Sequence, residues 1–168
     1  MGLKSVMDAI YLAMPKYVTR VGVAADCATQ HTVNMFTVAG GDVLLMGIYG
    51  KIIFAKDAGA QLLRLGHVPT IGGGEYFLCA ASLTTASDVA DTIYTISGIP
   101  ADAMIVLNAQ LGGGALMSSA TGIGTGTPHV LAPGILRLTT SIANDITGLI
   151  NWTVLYRPLT DVSRVTVL

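Results

Sequence analysis

The feature that most constrains this chain is its punctuation. From Arg20 to Leu168 the apolar runs are short, and clusters of Gly, Asp or Pro break them, on average about every dozen residues. A chain cut this way has no room for the long helices that alternate with strands in a parallel α/β sheet. It can instead form many short strands joined by turns. Periodicity places strands near 20–25, 31–39, 42–55, 60–67, 76–83, 92–97, 103–109, 129–131, 134–140, 148–157 and 162–168. The fold class this predicts is all-β: an antiparallel β-sandwich or jelly-roll-like barrel.

Within that scheme the Gly40-Gly41-Asp42 link between two apolar runs predicts a tight hairpin. In the run from Val43 to Phe54, strict alternation puts Leu44, Met46, Ile48, Ile52 and Phe54 on one face. Val43, Leu45, Tyr49 and Ile53 fall on the other, so the strand is expected to be covered on both sides. In 148–157, Ile150, Trp152, Val154 and Tyr156 form an apolar face. Leu149, Asn151, Thr153, Leu155 and Arg157 form a mixed one, suited to a subunit contact or a half-wet sheet.

The first 19 residues read differently. Ser5 and Asp8 have the form of a capping box, Val6, Met7, Ile10 and Met14 recur near helical spacing, and Pro15 closes the run. This predicts a short N-terminal helical arm over 1–19, followed by a single β-domain over 20–168. A helix that short is marginal in water and must pack on something. Ser87 to Asp91 suggests one more helical turn.

Composition now enters. Only 11% of residues are charged while 52% are hydrophobic, less than half the charge of a typical soluble domain, which runs at about 25%. Nine Lys+Arg against ten Asp+Glu leave no basic surplus for nucleic acid. The most apolar stretch, Val43 to Phe54, contains Lys51 and is shorter than the ~20 residues of a membrane-spanning helix. Met1 to Lys16 does not read as a secretion signal, because Asp8 interrupts it and no small-residue cleavage site follows. The expectation is no membrane partner and no nucleic acid, with the surplus apolar surface covered by oligomerisation or by docking onto a larger assembly.

Residues that carry chemistry are sparse. Gly122-Ile123-Gly124-Thr125-Gly126 lacks the phosphate-loop spacing, and Pro128 stands where a helix should open. His31, His67 and His129 have no metal-ligand spacing, so no metal is expected. Cys27 and Cys79 have no CxxC partner and read as small hydrophobes. The only glutamate, Glu75, follows three glycines, and Asp42, Asp88, Asp91, Asp102 and Asp161 sit where turns want them. Ser118-Ser119 lies in no nucleophile elbow. The Asn151-Trp152-Thr153 sequon falls inside a predicted strand. No catalytic or cofactor-binding residue is assigned, and the expectation is a non-enzyme that needs no cofactor.

Several segments nevertheless have a familiar form. These are Pro133-Gly134-Ile135-Leu136-Arg137-Leu138, then Ile150-Asn151-Trp152-Thr153-Val154-Leu155-Tyr156-Arg157-Pro158-Leu159-Thr160-Asp161. Upstream come Met35 to Val43, Gly47 to Ile53, and Tyr94-Thr95-Ile96-Ser97-Gly98. Together they resemble the capsid decoration or cement proteins of tailed bacteriophages, over most of residues 31–168. The resemblance implies an all-β virion subunit, often a homotrimer, on the outer surface of the head where capsomers meet. Its partner would be the major capsid protein, and it would assemble in the bacterial cytoplasm. The Met1–Lys16 arm, the mixed strand faces and the uncharged Gly112–Pro128 loop are then the expected contact regions. The alternative from another class is a β-sandwich module for carbohydrate or a host surface, as in a head-fibre or tail component. It would need Trp152, Tyr156 and Tyr94 displayed on a solvent-exposed face, whereas the alternation of Trp152 and Tyr156 with Ile150 and Val154 reads as core.

Overall fold

A computed structural model describes residues 10, 12–23, 32–56, 61–82, 85, 88–107, 129–141 and 148–168. The strands, in chain order, are β1 (Lys16–Arg20), β2 (Thr32–Ala39), β3 (Val43–Phe54), β4 (Leu62–Pro69) and β5 (Tyr76–Phe77). They continue with β6 (Ile93–Thr95), β7 (Ile105–Leu107), β8 (His129–Leu131), β9 (Gly134–Ser141), β10 (Leu149–Pro158) and β11 (Arg164–Val167). One sheet, A, runs β1-β10-β3-β6-β7, with β8 also on β3. The other, B, runs β11-β2-β9-β4-β5. All strand pairs are antiparallel.

The pairing is nested. β1 pairs with β10, β2 with β9, β3 with β8, and β4 with β5. That is one long antiparallel ribbon, folded back between β4 and β5 and then rolled, so its successive pairs fall alternately in sheet A and sheet B. This is the pairing of a jelly roll. The β6–β7 hairpin extends sheet A beyond β3, and β11 extends sheet B beyond β2.

The two sheets face each other across a single core. Sheet A contributes Ile150, Trp152, Val154 and Tyr156 from β10, with Val43, Leu45, Ile48 and Ile52 from β3. Sheet B contributes Phe36 and Val38 from β2, Leu63 and Leu65 from β4, and Leu136 and Leu138 from β9. On β9 the alternation is unbroken: Gly134, Leu136, Leu138 and Thr140 are buried and the residues between them half-buried.

Alternation fails on β3, and the strand register shows why. Leu155 faces Gly47 and Tyr156 faces Leu45, so Met46 is an extra residue on β3. This bulge flips the inward phase from Val43 and Leu45 to Ile48, Gly50 and Ile52. A second irregularity, where Leu149 faces Phe54 and Ile150 faces Ile52, turns Ile53 and Phe54 out to solvent. The expected two-face assignment of this strand is therefore corrected: Leu44 and Met46 do not share a face with Ile48 and Ile52.

The Gly40-Gly41-Asp42 link is also not a hairpin. It carries the chain from β2 in sheet B to β3 in sheet A. Both glycines have positive φ, 78° and 147°. A Cβ on Gly40 would run into the Val162 carbonyl oxygen, and one on Gly41 would lie 2.7 Å from both Ser163 Oγ and Thr160 Oγ1. The corner is thus seated under the loop between β10 and β11, and Leu159 N–H bonds to the Asp42 carbonyl at 3.1 Å.

The N-terminal helical arm is not seen. Helical backbone among the described residues there is confined to 10, 12 and 13, with one bond from Met14 N–H to the Ile10 carbonyl at 3.1 Å. Lys16–Arg20, expected to belong to the arm or to open the first strand, pairs along its whole length with β10. Pro15 explains the switch, since its missing N–H ends helical bonding just before the sheet edge. Of the helical turn expected at Ser87–Asp91, Ser87 lies outside the described residues, and 88–91 hold a plain turn over 90–91, with Asp91 at φ 70°, a conformation that Asp tolerates better than most residues.

Candidate functional site

The outer face of sheet A is built by three strands in register. Tyr17 of β1 lies beside Leu155 of β10, and Thr19 beside Thr153, which is in turn beside Tyr49 of β3. Thr19 Oγ1 and Thr153 Oγ1 bond across the strands at 2.8 Å. Tyr17 is 78% exposed. These are residues of the mixed face expected on β10, and the structure brings them together with the edge strand. Charge is scarce here: Lys51 is paired with Asp91 at 2.7 Å, and Arg157 stands at the far end of β10.

One end of the same sheet is apolar. Gly22 packs against the Ile150 backbone, and its N–H donates to Asn151 Oδ1 at 3.0 Å. That bond fixes the chain after β1, and exposed Val21 and Val23 flank it. Exposed Phe54 pairs with Leu149 in the same region, next to exposed Ile53. Asn151, read from sequence as part of a sequon, is committed to this anchor in a central strand. Further large apolar side chains stand in solvent elsewhere, among them Ile71 at 88% and Met14 at 60%.

Beneath the sheets lies a polar strut that the sequence did not signal. Lys56 is only 4% exposed. Its Nζ donates to Gln61 Oε1 at 2.6 Å and to Thr85 Oγ1 at 2.8 Å, and its backbone N–H bonds to the Asp88 carbonyl at 2.9 Å. Asp88 is also buried, and its Oδ2 accepts the Tyr94 hydroxyl at 2.7 Å. Hydrogen bonds of this kind are what make the burial of a charged side chain tolerable. The cluster ties Thr85 and Asp88 to Lys56, just beyond β3, and to Tyr94 of β6, an anchoring task. A lysine in a loop carries no pattern that would mark it for burial.

The remaining chemistry-bearing residues stay apart. His67 is fully buried on β4, and His129 lies on β8 in the other sheet. No group of three or more His, Cys, Asp and Glu able to hold a metal occurs among the described residues. Cys79 is buried, and desolvation pushes its thiol pKa up, partly offset by the Leu65 backbone and by Arg64. Arg64 itself lies 3.3 Å over the Phe77 ring, on the outer face of sheet B. Beside it is a shallow apolar cavity of about 180 Å³ lined by Leu62, Phe77, Ala81, Thr139 and Ser141. Asp102 accepts the Ser97 hydroxyl at 2.7 Å, a turn role. Cys27, His31, Ser118-Ser119, Gly122–Gly126, the whole Gly112–Pro128 loop and most of Met1–Lys16 lie outside the described residues.

The aromatic residues that a sugar-binding face would need are in the core. Trp152 is 1% exposed, Tyr94 0% and Tyr156 5%. Tyr94 and Trp152 stack on each other with centroids 6.5 Å apart. Among the described residues no helix is long and apolar enough to cross a membrane.

No family model matches the chain, and no curated protein matches it. Among solved structures it is similar to that of infectious bursal disease virus, Gx strain, at 14% identity with a TM-score of 0.31. The match covers 91% of this chain and 39% of the other, so the chain spans well under half of that protein's length.

Proposed function

We propose that this chain is a virion structural subunit without enzymatic activity: a decoration or cement protein. In this reading it binds the outer surface of a tailed-phage head at capsomer junctions, against the major capsid protein, and acts there as a homotrimer. The observation that carries the proposal is the surface. Large side chains such as Tyr17, Val21, Phe54 and Ile71 stand in solvent on a chain with only 11% charged residues. A free monomer has little use for such a surface, and a clamp between other subunits covers it. The segment resemblance set out above supports the same reading and supplies its phage-head detail. At roughly 25 cal/mol per Å² of apolar area, modest contacts repeated over a shell add up against the outward pressure of packaged DNA.

Jelly rolls are used by viral capsid and by lectin domains alike, so architecture does not choose between this proposal and a glycan-binding module. The burial of Trp152, Tyr94 and Tyr156 favours the first. Light scattering after size exclusion tests it, with three times the 17.3 kDa chain mass expected. Co-sedimentation with empty heads assembled from the major capsid protein follows. A monomer that does not co-sediment overturns the proposal, and binding on a glycan panel would replace it.

A further inference from the structure

The fully buried histidine of sheet B has an arrangement that none of the preceding roles uses. His67 is 0% exposed, and neither Nδ1 nor Nε2 has a hydrogen-bond partner. Its ring meets the Tyr76 ring edge-on, with centroids 5.1 Å apart. On its other side Nε2 crowds Gly134, where an added Cβ would approach it to 2.9 Å. The imidazole is therefore wedged between β9 and β5 in a buried space that penalises its charged form more than its neutral one.

We propose that His67 is an acid-operated latch: charging its imidazole drives it out from between β9 and β5 and releases a strap, residues 71–77, from the edge of sheet B, beyond Thr70, whose N–H stays bonded to the Pro133 carbonyl at 2.8 Å. The strap is the weakest part of that sheet. β5 has two residues and only two register pairs with β4, Gly66 with Phe77 and His67 with Tyr76. The turn before it is loose: Ile71 is 88% exposed, and Gly72, Gly73 and Gly74 touch nothing where a side chain would begin. The segment after it is firmly held, by Leu78 N–H to the Leu65 carbonyl at 2.9 Å and Ser82 N–H to the Leu63 carbonyl at 2.8 Å. Opening therefore stops near residue 78.

Among the described residues no nearby charge relieves the imidazolium. Arg64 on β4 projects to the outer face, over Phe77. Arg137 on β9 also faces outward and bonds to Asn34 Oδ1. Glu75 sits over Gly66, on that same outer side. Tyr76 offers a neutral phenol. Burial accordingly lowers the His67 pKa, and the nearby Ala132 backbone offsets part of the effect. A depressed histidine pKa means that the open form binds the proton more readily, so acid favours opening.

Hydrogen exchange of the full chain, compared at about pH 7.5 and about pH 5 after correction for intrinsic rates, tests this. At pH 5 the strap amides should lose protection by up to about 30-fold, the protonated-to-neutral ratio of an ordinary imidazole there. Amides of β10 should keep theirs. His67→Phe, which keeps a ring but cannot charge, should make strap protection independent of pH, while Glu75→Gln should leave the acid response intact. Unchanged strap protection at pH 5 in the native chain overturns the proposal, as does an equal loss in His67→Phe. Should that variant fail to fold, the His67 Cε1–H resonance of the native chain decides: a midpoint below 6.5 is expected, and one at or above 6.5 refutes the latch.

Discussion

The indole of Trp152 lies flat against the backbone of Gly50. The two residues face each other across β10 and β3, and a Cβ on Gly50 would stand 2.9 Å from both Cδ2 and Cε2 of the ring. Tyr94 is the partner of Gly50 on its other side. The missing side chain is thus what lets the two rings stack across the strand between them. Gly50→Ala should overpack this site and destabilise the protein by about 1–3 kcal/mol. Urea unfolding measures the loss. The native emission of the single tryptophan should be blue-shifted, as for any buried indole, and should move red in the variant.

The corner at Gly40 is the second position where glycine is structurally required. Its φ of 78° and the Val162 carbonyl oxygen leave no place for a Cβ. Gly40→Ala should cost on the order of 1–3 kcal/mol or more. The urea midpoint should drop, and protection should fall at Leu159 N–H, which bonds to Asp42 across the corner.

Tyr94→Phe removes the hydroxyl that donates to the buried Asp88 carboxylate. A hydrogen bond to such a group is worth about 1.5–3 kcal/mol. The variant should be destabilised by that amount, with Asp88 less firmly held while the sandwich keeps its far-ultraviolet signature; urea unfolding measures the loss.

Tyr17 separates assembly from folding. At 78% exposure its replacement by Asp should change stability by no more than about 0.5 kcal/mol. If the outer face of sheet A is a contact surface, the same variant should lower the mass in solution or abolish co-sedimentation with heads. A Tyr17→Asp protein that assembles like the native one would remove this face from the proposal.

The pH dependence of global stability follows from His67. Its folded pKa is depressed by burial, so the unfolded chain binds the proton more readily below the ordinary value of about 6.5. The stability contributed by the neutral, buried ring is complete above that pH and is lost as the pH falls below it. The urea midpoint should decline between about pH 7 and pH 5 in the native chain and decline less in His67→Phe.

Much of the fold was legible in the sequence, because burial of one sheet face writes itself as alternation. Ile150, Trp152, Val154 and Tyr156 read as a core face and are one, and most strands fall within a few residues of their expected places. The first strand is displaced to Lys16–Arg20, because Tyr17 and Thr19 carry no apolar signal for an edge whose outer face is wet. The exposed apolar side chains were legible only as a surplus of apolar residues. Which of them reach solvent depends on neighbours in the rolled sheet.

From the sequence alone came the class of the fold, the positions of the turns and the poverty of charge, since each is a property of residues near one another in the chain. The tertiary structure decided which sheet each strand joins, that Gly40-Gly41-Asp42 turns a corner between sheets, and that a bulge at Met46 reverses the faces of β3. It also decided that Lys56 and His67 are buried. These depend on partners far away in sequence: β1 meets β10 and β2 meets β9. No local pattern encodes such pairings; packing the whole ribbon around one core selects them.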